Sequence, residues 1–114
     1  MESILTSIKK LLGIDEDYEC FDADIIMYIN STFNSLSQLG VTEADNFSIS
    51  DDTTCWDDFI EDEKFLGMIK TYIRAKVKGM FDPPDRSNVL DALNKEIAES
   101  EWRIQVAFST PREN

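Results

Sequence analysis

Carboxylates are the most abundant groups in this sequence that could do chemistry. The 114 residues include 23 Asp and Glu, 11 Lys and Arg, and no His, which gives a formal net charge of -12. Clustered carboxylates can bind divalent cations or transfer protons, so the acidic segments are the first candidates for a site.

The segment that begins at Asp15 resembles the start of a calcium-binding loop. Asp15, Asp17 and Glu19 have the alternating spacing of such ligands. However, Cys20 stands where the loop needs a glycine, and Ile26 stands where it needs a bidentate glutamate. The segment therefore does not match a calcium loop.

Two pairs of adjacent acids, Asp51-Asp52 and Asp57-Asp58, could bind magnesium weakly. Adjacent carboxylates diverge in a helix or strand, and no neighbouring residue supplies a nucleophile or a phosphate cradle. We interpret these acids as helix-capping and solubilising groups, and we expect no metal site.

The remaining residues with chemical potential do not form an enzyme motif either. Cys20 and Cys55 have no CxxC spacing and no histidine to complete a zinc site, so we expect two free thiols. The sequence has no GxSxG, Walker or GxGxxG motif. We therefore predict no catalytic residues, no cofactor and no enzymatic activity.

The charges are unevenly distributed along the chain. From Leu11 to Glu63 there are fifteen acids and no Lys or Arg, whereas Lys64 to Arg86 holds six bases and two acids. Such a dipole repels nucleic acid from one surface and can set the polarity of stacking between copies. The alternative interpretation is that the acids form a solvated face that keeps the protein soluble.

Seven residues are candidates for contacts with other proteins. Lys70, Arg74 and Lys78 recur every four residues and share one helix face. At this net charge we favour pairing with acids of a neighbouring subunit over DNA binding. Trp102 with Arg103 could anchor an interface, although the large aromatic residues are also core candidates. Phe47 and Ile49 alternate with polar residues in a loop and complete the set.

The apolar spacing predicts an all-α fold, a small bundle of about four helices in one domain over residues 1–114. The predicted helices span about Ser3 to Leu12, Asp22 to Leu39, Glu61 to Phe81 and Asn88 to Phe108. Gly13 and Gly40 are predicted helix stops, and Thr53 or Thr54 a cap for a further turn near Cys55. Pro83 and Pro84 predict a turn over residues 82–86, Ser87 is a predicted cap, and residues 109–114 form a tail.

Between the second and third helices, residues 41–54 are rich in Ser, Thr, Asp and Asn and predict a long contact loop. Apolar and polar residues alternate over residues 46–50, so this loop could carry a short β-hairpin.

The segment lengths and the first residues bear on where the protein acts. No apolar run approaches the length that crosses a bilayer, and the N-terminus carries Glu2 where a signal peptide has bases. We therefore expect that the protein is made in a cytoplasm and does not associate with a membrane.

Several short stretches follow one another in a recognisable order: Ile8–Ile14, Phe21–Ile26 with Ile29-Asn30, Thr53–Phe59, Lys70–Ile73 with Lys76-Val77, Phe81–Pro84, and Ile97–Glu99 with Glu101–Arg103. This order resembles small head-tail connector proteins of tailed bacteriophages and prophages of Gram-positive bacteria. The resemblance covers nearly the whole chain.

The resemblance implies a helical adaptor in the neck of the virion, made in the host cytoplasm. Such an adaptor docks beneath the portal protein, assembles as a ring, for example a dodecamer, and receives a head-completion or tail protein. DNA passes through the ring without sequence-specific binding, and an acidic lumen would let it slide. The family has no fixed interface motif, so the resemblance assigns no individual contact residues.

Two other classes of protein stay open at this point. An acidic DNA mimic or anti-host regulator would place its carboxylates in a double row spaced like phosphates. A metal-dependent enzyme would need carboxylates that converge in a cleft.

Overall fold

The computed structural model describes residues 2–109 and shows an all-α fold. Its five α-helices are α1 (Ile4–Leu11), α2 (Asp22–Gln38), α3 (Trp56–Phe59), α4 (Glu63–Phe81) and α5 (Ser87–Ser109), with a short 3₁₀ turn at Thr42–Ala44. The four long helices match the predicted bounds within two residues. The predicted turn near Cys55 is α3.

Helix α1 begins and ends within one residue of its predicted bounds, with Ser3 and Leu12 as its caps. The Oγ of Ser3 accepts a hydrogen bond from the backbone N–H of Thr6 at 3.2 Å. Gly13 has a φ of +80°, which lets the N–H of Ile14 donate to the carbonyl of Lys9 at 2.8 Å. The apolar spacing of Ile4, Leu5, Ile8, Leu11 and Leu12 predicts one buried face for this helix. Leu11 departs from that prediction because it is exposed, and Lys9 is buried instead.

Helix α2 supplies much of the core. Ile25, Ile29, Phe33 and Leu36 are fully buried, as their three- and four-residue spacing predicts. Gly40 follows the helix with a φ of +102° and turns the chain so that the N–H of Val41 reaches the carbonyl of Leu36 at 3.0 Å.

The segment between α2 and α4 contains the largest departures from the predicted fold. Residues 41–54 form no hairpin, and the extended backbone makes only an isolated antiparallel bridge between Ser3 and Cys55 among the described residues. Cys55, and not Thr53 or Thr54, precedes α3, and its backbone N–H donates to Oδ2 of Asp58 at 2.8 Å. The alternation over residues 46–50 reflects packing of the loop onto α2, as described below.

Helix α4 lies between α2 and α5 and packs against both. It begins after Asp62, whose carboxylate accepts from the N–H of Lys64 at 2.9 Å, and it ends before Pro83 and Pro84. Its two glycines differ in surroundings. A Cβ at Gly79 would lie 3.7 Å from Leu93 of α5, so Gly79 is at the crossing of these helices, whereas Gly67 faces open space.

Helix α5 packs on the bundle by one side alone. Ile104 is its one buried residue within the described chain, with Leu93, Ile97 and Phe108 partly buried, while Val89, predicted on the same face, is exposed. A single neighbouring helix can cover only part of a helix surface, so most of α5 faces solvent. The helix continues one residue past its predicted end at Phe108, so Ser109, predicted as the start of the tail, is still helical, and the rest of the predicted tail lies outside the described residues.

The core joins all of these elements. Trp56, Tyr72 and Phe33 are its largest fully buried apolar side chains, and they come from α3, α4 and α2.

The prediction of a single domain over residues 1–114 stays a prediction, since it includes residues 110–114, which the structure does not describe. Among residues 2–109, no helix combines the length and the hydropathy needed to cross a membrane.

Candidate interaction surfaces

The three bases predicted to share a face of α4 already have neighbours within the chain. The guanidinium of Arg74 binds both carboxylate oxygens of Glu96 on α5, at 3.1 and 2.9 Å. Lys78 pairs with Asp82 at 2.8 Å, and the Nζ of Lys70 lies 5.1 Å from the centre of the Trp56 ring. The Arg74 contact stabilises the α4–α5 pair. A contact between this face and a partner stays a prediction.

An open groove runs between α4 and α5 beside these bases. Its lining combines apolar and charged side chains: Arg74, Lys78, Pro84, Val89, Ala92, Leu93 and Glu96. Arg74 and Glu96 form an ion pair across the groove, so their charges cancel. The apolar side chains of the lining form the rest of the groove surface.

Trp102 and Arg103 lie on the outer side of α5. Trp102 is 64% exposed, and Val106, one turn further on, is 46% exposed. Arg103 pairs with Glu99 at 2.6 Å through an exposed contact. The outer side of α5 therefore carries an exposed tryptophan and an exposed ion pair. A contact of Trp102 and Arg103 with another protein stays a prediction.

Phe47 and Ile49 pack into this chain. Ile49 is 3% exposed, and the ring of Phe47 lies 4.9 Å from that of Phe33 and 5.1 Å from that of Phe59. Both backbone polar groups of Ile49 bind the side chain of Asn30: its N–H donates to Oδ1 at 2.8 Å, and its carbonyl accepts from Nδ2 at 2.9 Å. A role for Phe47 and Ile49 in contacts between proteins stays a prediction.

Sequence reasoning missed the role of Asn30. The residue follows the buried Ile29 and belongs to a stretch that carries the family resemblance, but nothing local marks it as the partner of a loop nineteen positions away. The Asn30 amide supplies one donor and one acceptor to the backbone of the loop, as a neighbouring strand would do in a sheet.

One acid of each acidic pair, Asp51 and Asp58, accepts a hydrogen bond from nearby backbone. Asp51 accepts from the N–H of Thr53 at 2.9 Å, and hydrogen bonds from the side chain and backbone of Thr53 lower the pKa of Asp51. Cys55, Asp57 and Asp58 bring one potential ligand atom each within 4.8 Å of one another. Their closeness follows from the start of α3, where the carboxylate of Asp58 accepts from the backbone N–H of Cys55, and the group is largely exposed.

The two cysteines are free thiols in the structure. Cys20 is exposed, Cys55 is partly buried, and neither forms a disulfide.

A buried lysine beneath the acidic segment 15–24 was also missed. Lys9 is 2% exposed, and its Nζ donates to the carbonyl of Glu16 at 2.9 Å and lies 2.8 Å from Oδ1 of Asp22. The contact with Asp22 has the distance of an ion pair, although its angles are not those of a hydrogen bond. Lys9 thus ties α1 to the segment that precedes α2.

Aromatic rings lie above this anchor. Tyr18 and Phe21 are 48% and 40% exposed, their ring centres are 5.6 Å apart, and Phe21 meets Phe81 at the end of α4 at 5.2 Å. Asp17 and Glu19 are exposed beside them. We call Tyr18, Phe21, Asp17 and Glu19 the acidic aromatic patch.

A second polar contact between α4 and α5 is partly buried. The hydroxyl of Tyr72 donates to Oε2 of Glu101 at 2.8 Å. Burial, the hydrogen bond to Glu101 and the charge of Glu101 all raise the pKa of Tyr72 well above its ordinary value. Tyr72 is therefore a structural group that stays protonated.

Taken together, these features define a small all-α protein whose candidate sites are exposed surfaces, with aromatic and charged side chains on different faces. This chain belongs to the phage connector protein family, whose model matches residues 4–111. It is a phage head-tail connector protein. Searches of curated proteins and of solved structures found no significant match.

Membership of this family points to a structural and non-enzymatic role. It also indicates a component of the phage particle that associates with other phage structural proteins. That the host is a Gram-positive bacterium stays a prediction.

Proposed function

We propose that this protein assembles as a ring beneath the portal protein in the neck of the virion and links the DNA-filled head to a completion or tail protein. The observation that carries the proposal is the family match over residues 4–111 of a 114-residue chain. Nearly all of the described fold thus belongs to the connector unit, and synthesis would take place in the cytoplasm of the host.

The shape and surface of the chain support a role in side-by-side assembly. Its principal extents are 41 × 35 × 20 Å, so each copy is a flat body that can offer broad faces to two neighbours. Candidate contact side chains lie on several of its elements, including Trp102 on α5 and Tyr18 before α2. A subunit with different faces toward its two neighbours can close a ring.

The partition of charge supports a passage for DNA. The fifteen acids between Leu11 and Glu63 have no base among them, and a lumen lined by such acids would repel phosphates and let DNA slide. The DNA would then make no sequence-specific contact with the ring.

Co-expression with the portal protein of the same phage tests the connector function. We expect the two proteins to co-purify, and negative-stain images to show an additional ring beneath the portal that is absent when the portal is expressed alone. A chain that fails to bind the portal and instead captures a DNA-binding enzyme would overturn the connector function in favour of an acidic DNA mimic.

The acidic lumen can be tested separately in the assembled ring. Replacement of Asp51, Asp52, Asp57 and Asp58 by Asn removes four exposed carboxylates without adding bases. If these acids line the lumen, we expect the variant phage to eject its DNA more slowly. Replacement of Asp85 and Asp91, two exposed acids outside the segment 11–63, is the control. An image of the ring with residues 51–58 on its outer wall would refute the acidic lumen and leave the connector function intact.

A further inference from the structure

The rings of the acidic aromatic patch belong to a row that is open to solvent. Ring centres are 5.6 Å apart between Tyr18 and Phe21 and 5.2 Å apart between Phe21 and Phe81. Tyr18 and Phe21 are exposed, whereas Phe81, at the end of α4, is partly buried and supports the row from the bundle side. Single exposed apolar residues are ordinary, but adjacent exposed rings form a surface on which another flat group can stack.

Hydrogen bonds hold the loop that carries these rings. The backbone N–H of Asp17 donates to Oδ1 of Asp15, and the backbone N–H of Tyr18 donates to the carbonyl of Asp15, both at 3.0 Å. The buried ammonium group of Lys9 binds the carbonyl of Glu16 from below. Because this loop is ordered before a partner arrives, binding to it loses little conformational entropy.

The acids around the rings favour a cation as the binding group. Residues 15–24 hold six acids and no base. Asp17, Glu19 and Asp24 are exposed, and none of these three forms an ion pair within residues 2–109. Their carboxylates are therefore free to bind a positive group from outside the chain.

Neighbouring elements do not neutralise these carboxylates. Three lysines on α1 and α4 each have another acidic partner, in the pairs Lys9–Asp22, Lys10–Glu2 and Lys78–Asp82. The C-terminal end of α4, which has a partial negative charge, lies at Phe81 beside the ring of Phe21. The N-terminal end of α2 has a partial positive charge, but acids in its first turn offset it. The acidic aromatic patch thus keeps a net negative charge.

Among protein cations, the guanidinium group of arginine suits this surface best. It is planar, stacks on aromatic rings and donates several hydrogen bonds at once, whereas the ammonium group of lysine is compact and strongly hydrated. The acids on either side of Tyr18 in the chain, Asp17 and Glu19, offer carboxylate oxygens for those hydrogen bonds. Rings and carboxylates together therefore select arginine over lysine.

A second copy of this chain is an unfavourable source of the arginine. Each copy has a formal net charge of -12, so two copies repel each other at an acidic surface. Two of the three arginines among residues 2–109, Arg74 and Arg103, already pair with acids of α5 in their own chain. The arginine is therefore expected to come from a different protein, and the contacts between copies in a ring would use other faces.

We propose that the acidic aromatic patch binds an arginine-bearing segment of another protein. The guanidinium group stacks on the exposed rings of Tyr18 and Phe21 and donates hydrogen bonds to Asp17 and Glu19. This contact goes beyond the ring assembly proposed above and does not depend on it, because one chain carries the complete patch.

Titration of the full chain with short synthetic peptides tests the contact. The probe is acetyl-Gly-Arg-Gly-Arg-Gly-amide, and the comparison peptides carry lysine or uncharged citrulline in place of arginine. NMR follows the backbone amides of the isotope-labelled protein at low salt, since salt screens exposed charges. We expect the arginine peptide to shift the amides of residues 17–21 and to bind more tightly than the lysine peptide. The citrulline peptide should not bind.

Variants of matched charge connect the binding to the patch. Asp17→Asn with Glu19→Gln should weaken binding of the arginine peptide at least about threefold. Asp85→Asn with Asp91→Asn changes the net charge by the same amount at two exposed acids elsewhere and should leave binding nearly unchanged. Tyr18→Ser keeps the charge, removes one exposed ring and should weaken binding about two- to fivefold. Circular dichroism should stay unchanged in all of these variants, because the replaced side chains are exposed.

Equal affinity for the arginine and lysine peptides would overturn the proposal, as would equal effects of the two charge-matched variants, because the protein would then bind cations through its overall charge. Shifts of the amides of residues 17–21 on dilution of the protein alone would also overturn it, since the partner would then be a second copy. None of these outcomes bears on binding to the portal, which the co-expression experiment measures.

Discussion

The Nζ atom of Lys9 lies 2.8 Å from Oδ1 of Asp22, in a contact where the lysine is almost completely buried. The same ammonium donates to the carbonyl of Glu16, so one charge holds the start of the acidic segment and the start of α2. Lys10, the next residue, pairs with Glu2 in an exposed contact at 2.6 Å. Of these two adjacent lysines, Lys9 thus forms its ion pair in a buried environment and Lys10 forms its ion pair in an exposed one.

Replacement of these lysines should separate the two environments. Lys9→Met leaves Asp22 and the carbonyl of Glu16 without their partner, and we expect a loss of about 2 kcal/mol in the free energy of unfolding, below the value for a fully buried pair because Asp22 keeps some solvent contact. Lys10→Met should leave stability almost unchanged. Urea unfolding followed by circular dichroism measures both, and equal effects would contradict the structural assignment of Lys9.

The amide of Asn30 should control the order of the loop that contains Ile49. Asn30→Ala leaves the N–H and the carbonyl of Ile49 without their partners, so we expect a loss of about 1–3 kcal/mol in stability. Asn34→Ala, one turn along the same helix at an exposed position, is the matched control. Hydrogen exchange should show faster exchange of the Ile49 amide in Asn30→Ala alone, and retained protection at that amide would argue against the clamp.

These two cases show which parts of the fold follow from sequence. The long helices were predictable because the apolar period, Ser3, Gly13, Gly40 and the two prolines mark their extents locally. Lys9 and Asn30 were not, because each is a polar residue whose role depends on a tertiary neighbour. The helical period of the apolar residues in α1 predicts that Leu11 is buried and Lys9 is exposed. The lysine is buried instead because the carboxylate of Asp22 and the carbonyl of Glu16 bind its ammonium group.

The interaction surfaces follow the same rule. Sequence spacing puts Trp102 off the line of Leu93, Ile97 and Ile104, and Trp102 is exposed, whereas a contact of Trp102 and Arg103 with a partner stays a prediction. It also selected Phe47 and Ile49, since alternation is the same for a contact strand as for a loop packed on a helix. The intrachain partner of Arg74 could not be foreseen, because the register of α5 against α4 is set by packing at Gly79 and Leu93.

Tyr72 should make stability depend on pH in the alkaline range. Its pKa is raised in the folded protein, mainly by burial and then by Glu101, so its contribution is fully present below about pH 10 and is lost as the pH rises further. We expect Tyr72→Phe to be about 1 kcal/mol less stable than the parent at pH 7, because the hydrogen bond to Glu101 is lost. Above about pH 10 this difference should shrink.

Urea unfolding at a series of pH values from neutral to alkaline measures this effect. Glu101→Gln is the control, since it keeps an acceptor for the hydroxyl and removes the charge that opposes ionisation of Tyr72. The alkaline loss of stability should then be smaller and should level off at a lower pH. A constant difference between Tyr72→Phe and the parent at all pH values would show that Tyr72 does not ionise in the unfolding equilibrium.

Two glycines should respond to the same substitution in opposite directions. Gly67 lies within α4 with open space where a methyl group would project. Gly67→Ala should raise stability by about 0.5–1 kcal/mol, because alanine has the higher helix propensity and lowers the conformational entropy of the unfolded chain. Gly13 has a φ of +80° after α1, where a Cβ is strained although nothing lies within 4 Å of it. Gly13→Ala should therefore lower stability by about 1–2 kcal/mol. Thermal and urea unfolding of the two variants test this pair, and shifts of the same sign would contradict either the helical position of Gly67 or the left-handed turn at Gly13.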